Sequence, residues 1–448
     1  MMAGNRNLTF ILLGMLAVIV FIAIAMNGTQ DGQEDVIIPE EILDCDYCTF
    51  NYRTPFTLAY TYLQPDGNRV VQGNMDLLSA DYTDVQLSGK PEWVVSAASN
   101  NGSIWVAVLD DGAVEAFELS NGDIEKVDIS PAKIHADSPP ILMIKNDEAF
   151  LLAPGLWNES HLSHPIALAS SGRTVFIETS GDLVFRVNDR ESARLEVNAL
   201  PDARLLLDED ERILLLTGPT EDYKHGVLGD SVEASSVTLV ETATTPSIAK
   251  VIDVPEGDVV EGIAPIWTDF DGDGIREILV TLSNAEDGAR LVVFDEDGNI
   301  IASGPAAGNG YRWRHQIAVA PFGPQGEIEI ADVLTPHIGG TVEFYQLNED
   351  ELTVMSGLSG YSSHMPGSRD LDMAIAGNFD NDTLLELLVP TQDFMELTVM
   401  EHNEKGIHVQ GHLLLGGVLN TNIAAVTLAN NSVAIGVGTD EEIIRIWY

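Results

Sequence analysis

Chemistry-bearing residues are concentrated in one short stretch, "TDFDGDGIREILV", Thr268 to Val280. It sets Asp269, Asp271 and Asp273 on alternate positions and Glu277 four residues further on. Carboxylates this close repel one another unless a cation sits among them. Calcium takes six to eight hard oxygens, and a curled loop supplies them from alternate positions while the intervening side chains point away. The expected donors are the side chains of Asp269, Asp271, Asp273 and Glu277 with the Ile275 carbonyl. Gly272 and Gly274 permit the positive φ angles of such a curl. Magnesium fits less well, because it keeps several waters and takes few protein ligands.

The loop has two relatives further along the chain. "GNFDNDTLLELLVP" carries Asn378, Asp380, Asp382, the Leu384 carbonyl and Glu386 at the matching positions and is expected to form a second calcium site. "APFGPQGEIEIADV" keeps the Phe and the Glu but has Pro321, Gly323 and Gln325 where the first loop has aspartates, so no metal is expected there. Aligned, Phe270, Phe322 and Phe379 coincide, as do Glu277, Glu329 and Glu386, at offsets of 52 and 57 residues. That spacing is one four-stranded propeller blade with its loops. Asn381 also opens an N-x-T sequon, in a poor place for a glycan if the loop holds metal.

The elements that must position these loops are strands. From about residue 50 the apolar runs are short, alternating and bounded by turn residues, and no amphipathic helix of three or more turns is expected. "SAASNNGSIWVAVLDDGAVEAFEL" reads as strand, turn, strand, turn, strand, and "TLANNSVAIGVGTDEEIIRIWY" repeats this at the C-terminus. Small antiparallel sheets bury both faces when arranged radially. The expected fold is therefore an all-β propeller over 50–448 with about seven blades, eight being the alternative count. Two stacked β-domains are the competing architecture. The last unit looks one strand short, and "FTLAYTYL" (Phe56 to Leu63) is expected to complete it.

"DFDGDGIREILV" resembles the signature loop of FG-GAP/VCBS-repeat proteins, the group that includes the integrin α-subunit propeller. The resemblance is specific over 269–277, extends to 378–386 and covers about 260–410. It implies an extracellular propeller with calcium in hairpin loops on one face, serving recognition or adhesion. The family's ligand-binding surfaces map onto nothing identifiable in this sequence.

Composition bounds the partners. The formal charge is −48, from 22 Lys and Arg against 70 Asp and Glu, and only seven of the basic residues are Lys. Such a surface repels nucleic acid and suits high salt, where carboxylate repulsion is screened. Residues 1–26 end in "LTFILLGMLAVIVFIAIAM", 19 residues without a charge, long enough to cross a bilayer. A retained anchor with the propeller outside is expected; a cleaved signal peptide followed by secretion is the alternative, since Ala23 and Ala25 make an A-x-A site. Residues 27–49 read as an acidic linker, in which Cys45 and Cys48, the only cysteines, are expected to form a local disulfide.

Scarce basic and imidazole groups cluster in "GYRWRHQ", "TPHIGG" and "GYSSHMPGSRD". Arg312, Arg314, His315, His337, Tyr361, His364 and Arg369 are the candidate ligand-binding residues, suited to a carboxylate or acidic sugar. The opposing reading pairs the arginines with nearby acids and has the histidines cap turns. His402, His408 and His412 read as scattered surface residues. No zinc-protease, nucleophile-elbow or phosphate-loop motif is present. The function expected is thus a membrane-tethered, calcium-stabilised recognition or scaffold propeller with a protein or glycan ligand. The alternative is an exported enzyme, a lyase or hydrolase acting on acidic polysaccharide through Arg314 and His337.

Overall fold

The structure, a computed structural model, describes residues 56–448 apart from 147, 155–157 and 189. The apolar segment, the acidic linker and both cysteines lie outside the described residues. Among those described, no helix is long and apolar enough to cross a membrane. The one helical element among the described residues is a single 3-10 turn, Leu77–Ser79.

The other regular elements among the described residues are strands, paired mostly antiparallel in short meanders, as the alternating runs require. Blade 1 is Pro91–Ala98, Ser103–Leu109, Val114–Ser120 and Asp123–Val127. Blade 2 joins Ile141–Lys145 and Glu148–Leu152 to Thr57–Tyr60, and blade 3 runs from Ile166–Leu168 to Arg190–Glu196. Blades 4, 5 and 6 begin at Leu206–Leu207, Ile266–Thr268 and Arg314–Ala320; pairings through Val259–Val260 and at Ser303 and Glu351 link them into one thirteen-stranded sheet. Blade 7 spans Ile375–Asn378 to Gly406–Leu414, and blade 8 holds Ala424–Thr427, Val433–Thr439 and Ile443–Trp447.

The hydrophobic core shows how the units are arranged. One large cluster joins blades 2 to 5. Smaller clusters join blades 5 and 6, 6 and 7, 7 and 8, 8 and 1, and 1 and 2. The chain of contacts returns to its start, so the sheets form a ring: an eight-bladed β-propeller. Each sheet is buried on both faces by its neighbours, which a single four-stranded sheet cannot achieve alone.

Ring closure departs from the sequence expectation. The strand completing blade 8 is Tyr82–Gln86, which pairs antiparallel with Ile443–Trp447, Tyr82 opposite Trp447. Phe56 to Leu63 instead contributes Thr57–Tyr60 to blade 2, with Tyr60 opposite Ile141. Blade 2 has only two strands from its own stretch of chain, so its pairing edge takes the nearest strand available.

Between these two strands the chain passes the inner strands of successive blades. The Leu207 and Trp267 amides donate to the carbonyls of Pro65 and Asp66. Asn68 makes paired bonds with Val319, at 2.8 and 3.0 Å, and the Ala376 amide donates to Arg69. Gly67 has φ +84°, and a Cβ there would lie 2.6 Å from the Pro265 carbonyl, so only glycine fits. Arg69 is 3% exposed; its Nε donates to Asp372 at 2.8 Å and its Nη1 to the carbonyls of Gln316 and Ile317. Removing one member of a buried pair strands the other, at about 3–5 kcal/mol. Arg69→Met is expected to lower unfolding free energy by that order, measured by urea titration, whereas substituting the exposed Arg312 leaves it within about 0.5 kcal/mol.

Candidate functional site

Strands alternate direction within a blade, so all first-to-second hairpins emerge at one end of the ring. The two acidic loops and their middle copy are such hairpins, of blades 5, 7 and 6. The Asp269, Asp271 and Asp273 side chains offer oxygens all within 4.8 Å of one another. Backbone amides turn them inward: Gly272 and Gly274 donate to Asp269, Asp273 to Asp271, and Ile275 to Asp273. The two glycines sit at φ +80° and +87°, as the curl demands.

Glu277 also closes the neck of the loop. It is 6% exposed and accepts the Phe270 amide at 2.7 Å, while Glu386 accepts the Phe379 amide at 2.6 Å. The repeated Phe and Glu are therefore a structural latch across the loop neck. In the middle copy Glu329 instead accepts from Gln346 and pairs with His402 at 2.7 Å. His402 is buried and stacks on Phe344, so it is no surface residue.

The second loop gathers a partly different set. Asp380 and Asp382 meet Glu401, from the third strand of blade 7, with oxygens within 4.8 Å. Asn378 donates its amide to the Asp382 carbonyl at 2.7 Å. The Asn378 Oδ1, Glu386 Oε1 and Gln410 Oε1 atoms are buried without hydrogen-bond partners. Burial first, then the Asp380, Asp382 and Glu401 charges, push the Glu386 carboxyl up to about 8. Among the described residues none of these loop aspartates, nor Glu401, takes a Lys or Arg partner. Three carboxylates at this separation cost about 1 kcal/mol per pair even in water. Orphaned oxygens beside unpaired carboxylates are the donor set a hard cation needs, so the residues fit calcium.

The opposite end carries histidines. His135, His161, His164, His225, His315, His337 and His364 all lie there, on second-to-third hairpins, interblade connections or first-strand starts. Trp313 is the hub, its ring stacked on His315 at 5.2 Å and on His337 at 5.7 Å, with His364 edge-on at 5.0 Å. His364 Nε2–H donates to the Ser368 carbonyl, so its Nδ1 accepts from His337 Nε2 at 2.8 Å. Desolvation holds His337 down at about 4 and His364 at about 3, and drives His315 well below the usual range. These imidazoles are neutral near pH 7.

The candidate ligand-binding residues therefore separate. His315, His337 and His364 converge on Trp313. Arg314 lies buried inside blade 6, bonded to Tyr345 and within 3.4 Å of Asp332 and 3.5 Å of Glu343. Arg369 is held by Asp202 at 2.8 Å and Asp230 at 2.5 Å. Tyr361 packs in the core between blades 6 and 7, and Arg312 is exposed. Among the described residues Arg314 and Arg369 are thus held by carboxylates, as the opposing reading expected, and do not join the histidines in one open cationic cluster.

Residues the sequence did not single out complete this end. His225 Nδ1 lies 2.5 Å from Glu261, whose other oxygen accepts from Ser283. Tyr223, Tyr311 and His225 pack ring to ring. Glu233, 2% exposed, is pushed up to about 9 by burial first, then by Glu261, Asp202 and Asp230. Its folded pKa is raised, so stability is lost as pH climbs from the ordinary Glu range toward 9. Glu233→Gln is expected to match wild type near pH 5 and to melt several degrees higher at pH 8; equal midpoints at both would refute the burial assignment.

No family model matches this sequence, and no curated protein matches it. Solved structures with similar folds include BamB from Moraxella catarrhalis, at 11% identity over 82% of this chain and 98% of that one, TM-score 0.40. The Cps50 (Swd1) beta-propeller domain from Myceliophteria thermophila matches at 11% identity, with the same coverages and TM-score 0.41. A chain of the Mitotic Checkpoint Complex matches at 8% identity, 84% and 97% coverage and TM-score 0.41.

Proposed function

We propose that the protein is a calcium-stabilised recognition propeller, exported and held at the membrane by its N-terminal apolar segment. The observation that carries the metal reading is the inward-turned triad Asp269, Asp271 and Asp273, with no basic partner among the described residues. Asp380, Asp382 and Glu401, with the orphaned Asn378, Glu386 and Gln410 oxygens, support a second site. Calcium there would supply positive charge that cancels carboxylate repulsion and clamps each hairpin. Glu277 and Glu386 would act through the latch to the Phe amides, holding the loop necks. The same loops carry the FG-GAP-like resemblance, which points to recognition or adhesion outside the cell.

Binding to the folded state alone adds about 2.7 kcal/mol per site at 100 times Kd. The full chain is expected to melt several degrees higher in millimolar calcium than in EDTA, with a smaller shift in magnesium. Asp271→Asn together with Asp382→Asn should abolish most of the calcium shift while leaving the EDTA midpoint at or above wild type, because repulsion is relieved. Equal wild-type midpoints in calcium and EDTA would sink the metal reading. Tethering is tested separately by membrane fractionation with a carbonate wash, and intact mass separates a retained segment from a cleaved one.

A further inference from the structure

His135 and Asp137 lie on the connection from blade 1 to blade 2, and His161 on the connection from blade 2 to blade 3. One ligand atom from each lies within 4.8 Å of the other two. The His135 and His161 rings are 4.1 Å apart, and His135 Nδ1 is 3.7 Å from Asp137 Oδ2. All three side chains are exposed.

Their backbones are fixed even though the side chains reach solvent. Trp93 Nε1 donates to the Ala136 carbonyl at 2.9 Å. The buried Ser138 hydroxyl donates to the His161 carbonyl at 2.7 Å, tying the two connections directly together beside the rings. Ser160 and Ser163, on either side of His161, are buried and donate to Pro201 and Ala203 carbonyls. Two imidazoles from separate connections are thus held in register by backbone anchors, while their donor atoms stay free to rotate through ordinary rotamers.

We propose that His135, Asp137 and His161 bind an imidazole-preferring divalent transition ion of the Zn2+ class. Zn–N bonds of about 2.0–2.1 Å place tetrahedral donors about 3.4 Å apart, so the 3.7 Å His135–Asp137 spacing is close to bonding geometry. The remaining donor separations, within 4.8 Å, are on the scale that side-chain rotation spans. Metal on His135 Nδ1 displaces only a long 3.3 Å contact from the Asp137 amide. Two nitrogens and one carboxylate suit zinc, nickel or copper and disfavour calcium, so this centre is chemically distinct from the oxygen-only loops. Three protein donors leave a coordination position open for water or an incoming ligand.

The test uses the full chain without a histidine tag, titrated calorimetrically with Zn2+ in millimolar calcium so that oxygen-only sites are filled. One ion is expected to bind, and His135→Ala, His161→Ala and Asp137→Asn should each weaken it at least about tenfold, as loss of a direct ligand exceeds loss of an outer partner. Co2+ should give visible absorption that disappears in His161→Ala. Because the side chains are exposed, metal-free melting should not change in these variants, and Asp269→Asn should leave zinc binding unaltered. The proposal fails if wild type binds no Zn2+, or if it binds with the same stoichiometry and affinity as His161→Ala and His135→Ala.

Discussion

The ring depends on what its inner strands bond to. Eight blades converge with their first strands facing inward, and every polar group left unpaired there costs free energy. The segment from Thr57 to Leu77 meets that constraint by touching blades 2, 4, 5, 6, 7 and 8 in turn. Arg69 is its electrostatic centre, neutralising Asp372 and satisfying two blade 6 carbonyls. Thr61 donates to the same aspartate, and Arg204 approaches it at 3.6 Å.

Antiparallel alternation then divides the chemistry between the two ends. One end holds tight Asp- and Gly-rich hairpins, whose side chains are short and whose backbones curl. That end collects oxygen donors. The other end holds the interblade connections and second-to-third hairpins, which carry Trp313, Tyr223, Tyr311 and, with the start of blade 6, seven of the histidines. Desolvation makes the packed imidazoles neutral and stackable, so they build an aromatic floor, whereas the exposed pair at His135 and His161 keeps nitrogens available.

Much of this was legible in the chain itself. The Phe-to-Glu repeat marked three first-to-second hairpins, and in two of them the pair closes a local latch spanning seven residues and independent of any other blade. The same locality exposed Asp269, Asp271 and Asp273 as one cluster. What was not legible came from other strands. Glu401 and Gln410 reach the second loop across blade 7, and no spacing rule within 378–386 could find them. Arg314 could be read from the sequence as a ligand-binding cation or as the partner of an acid; strand alternation directs it inward, onto Asp332 and Tyr345.

Sequence alone determined the class of fold, the blade period, the curled acidic loops and the repulsion they must relieve. These follow from periodicity, turn chemistry and charge within short windows. Only the tertiary structure decided that there are eight blades, that Tyr82–Gln86 closes the ring, and which distant side chains share a site. Ring closure is a competition among strands far apart in the chain for the same open edge. Its outcome depends on which strand can pair while the segment beside it satisfies the inner strands, and no local pattern carries that information.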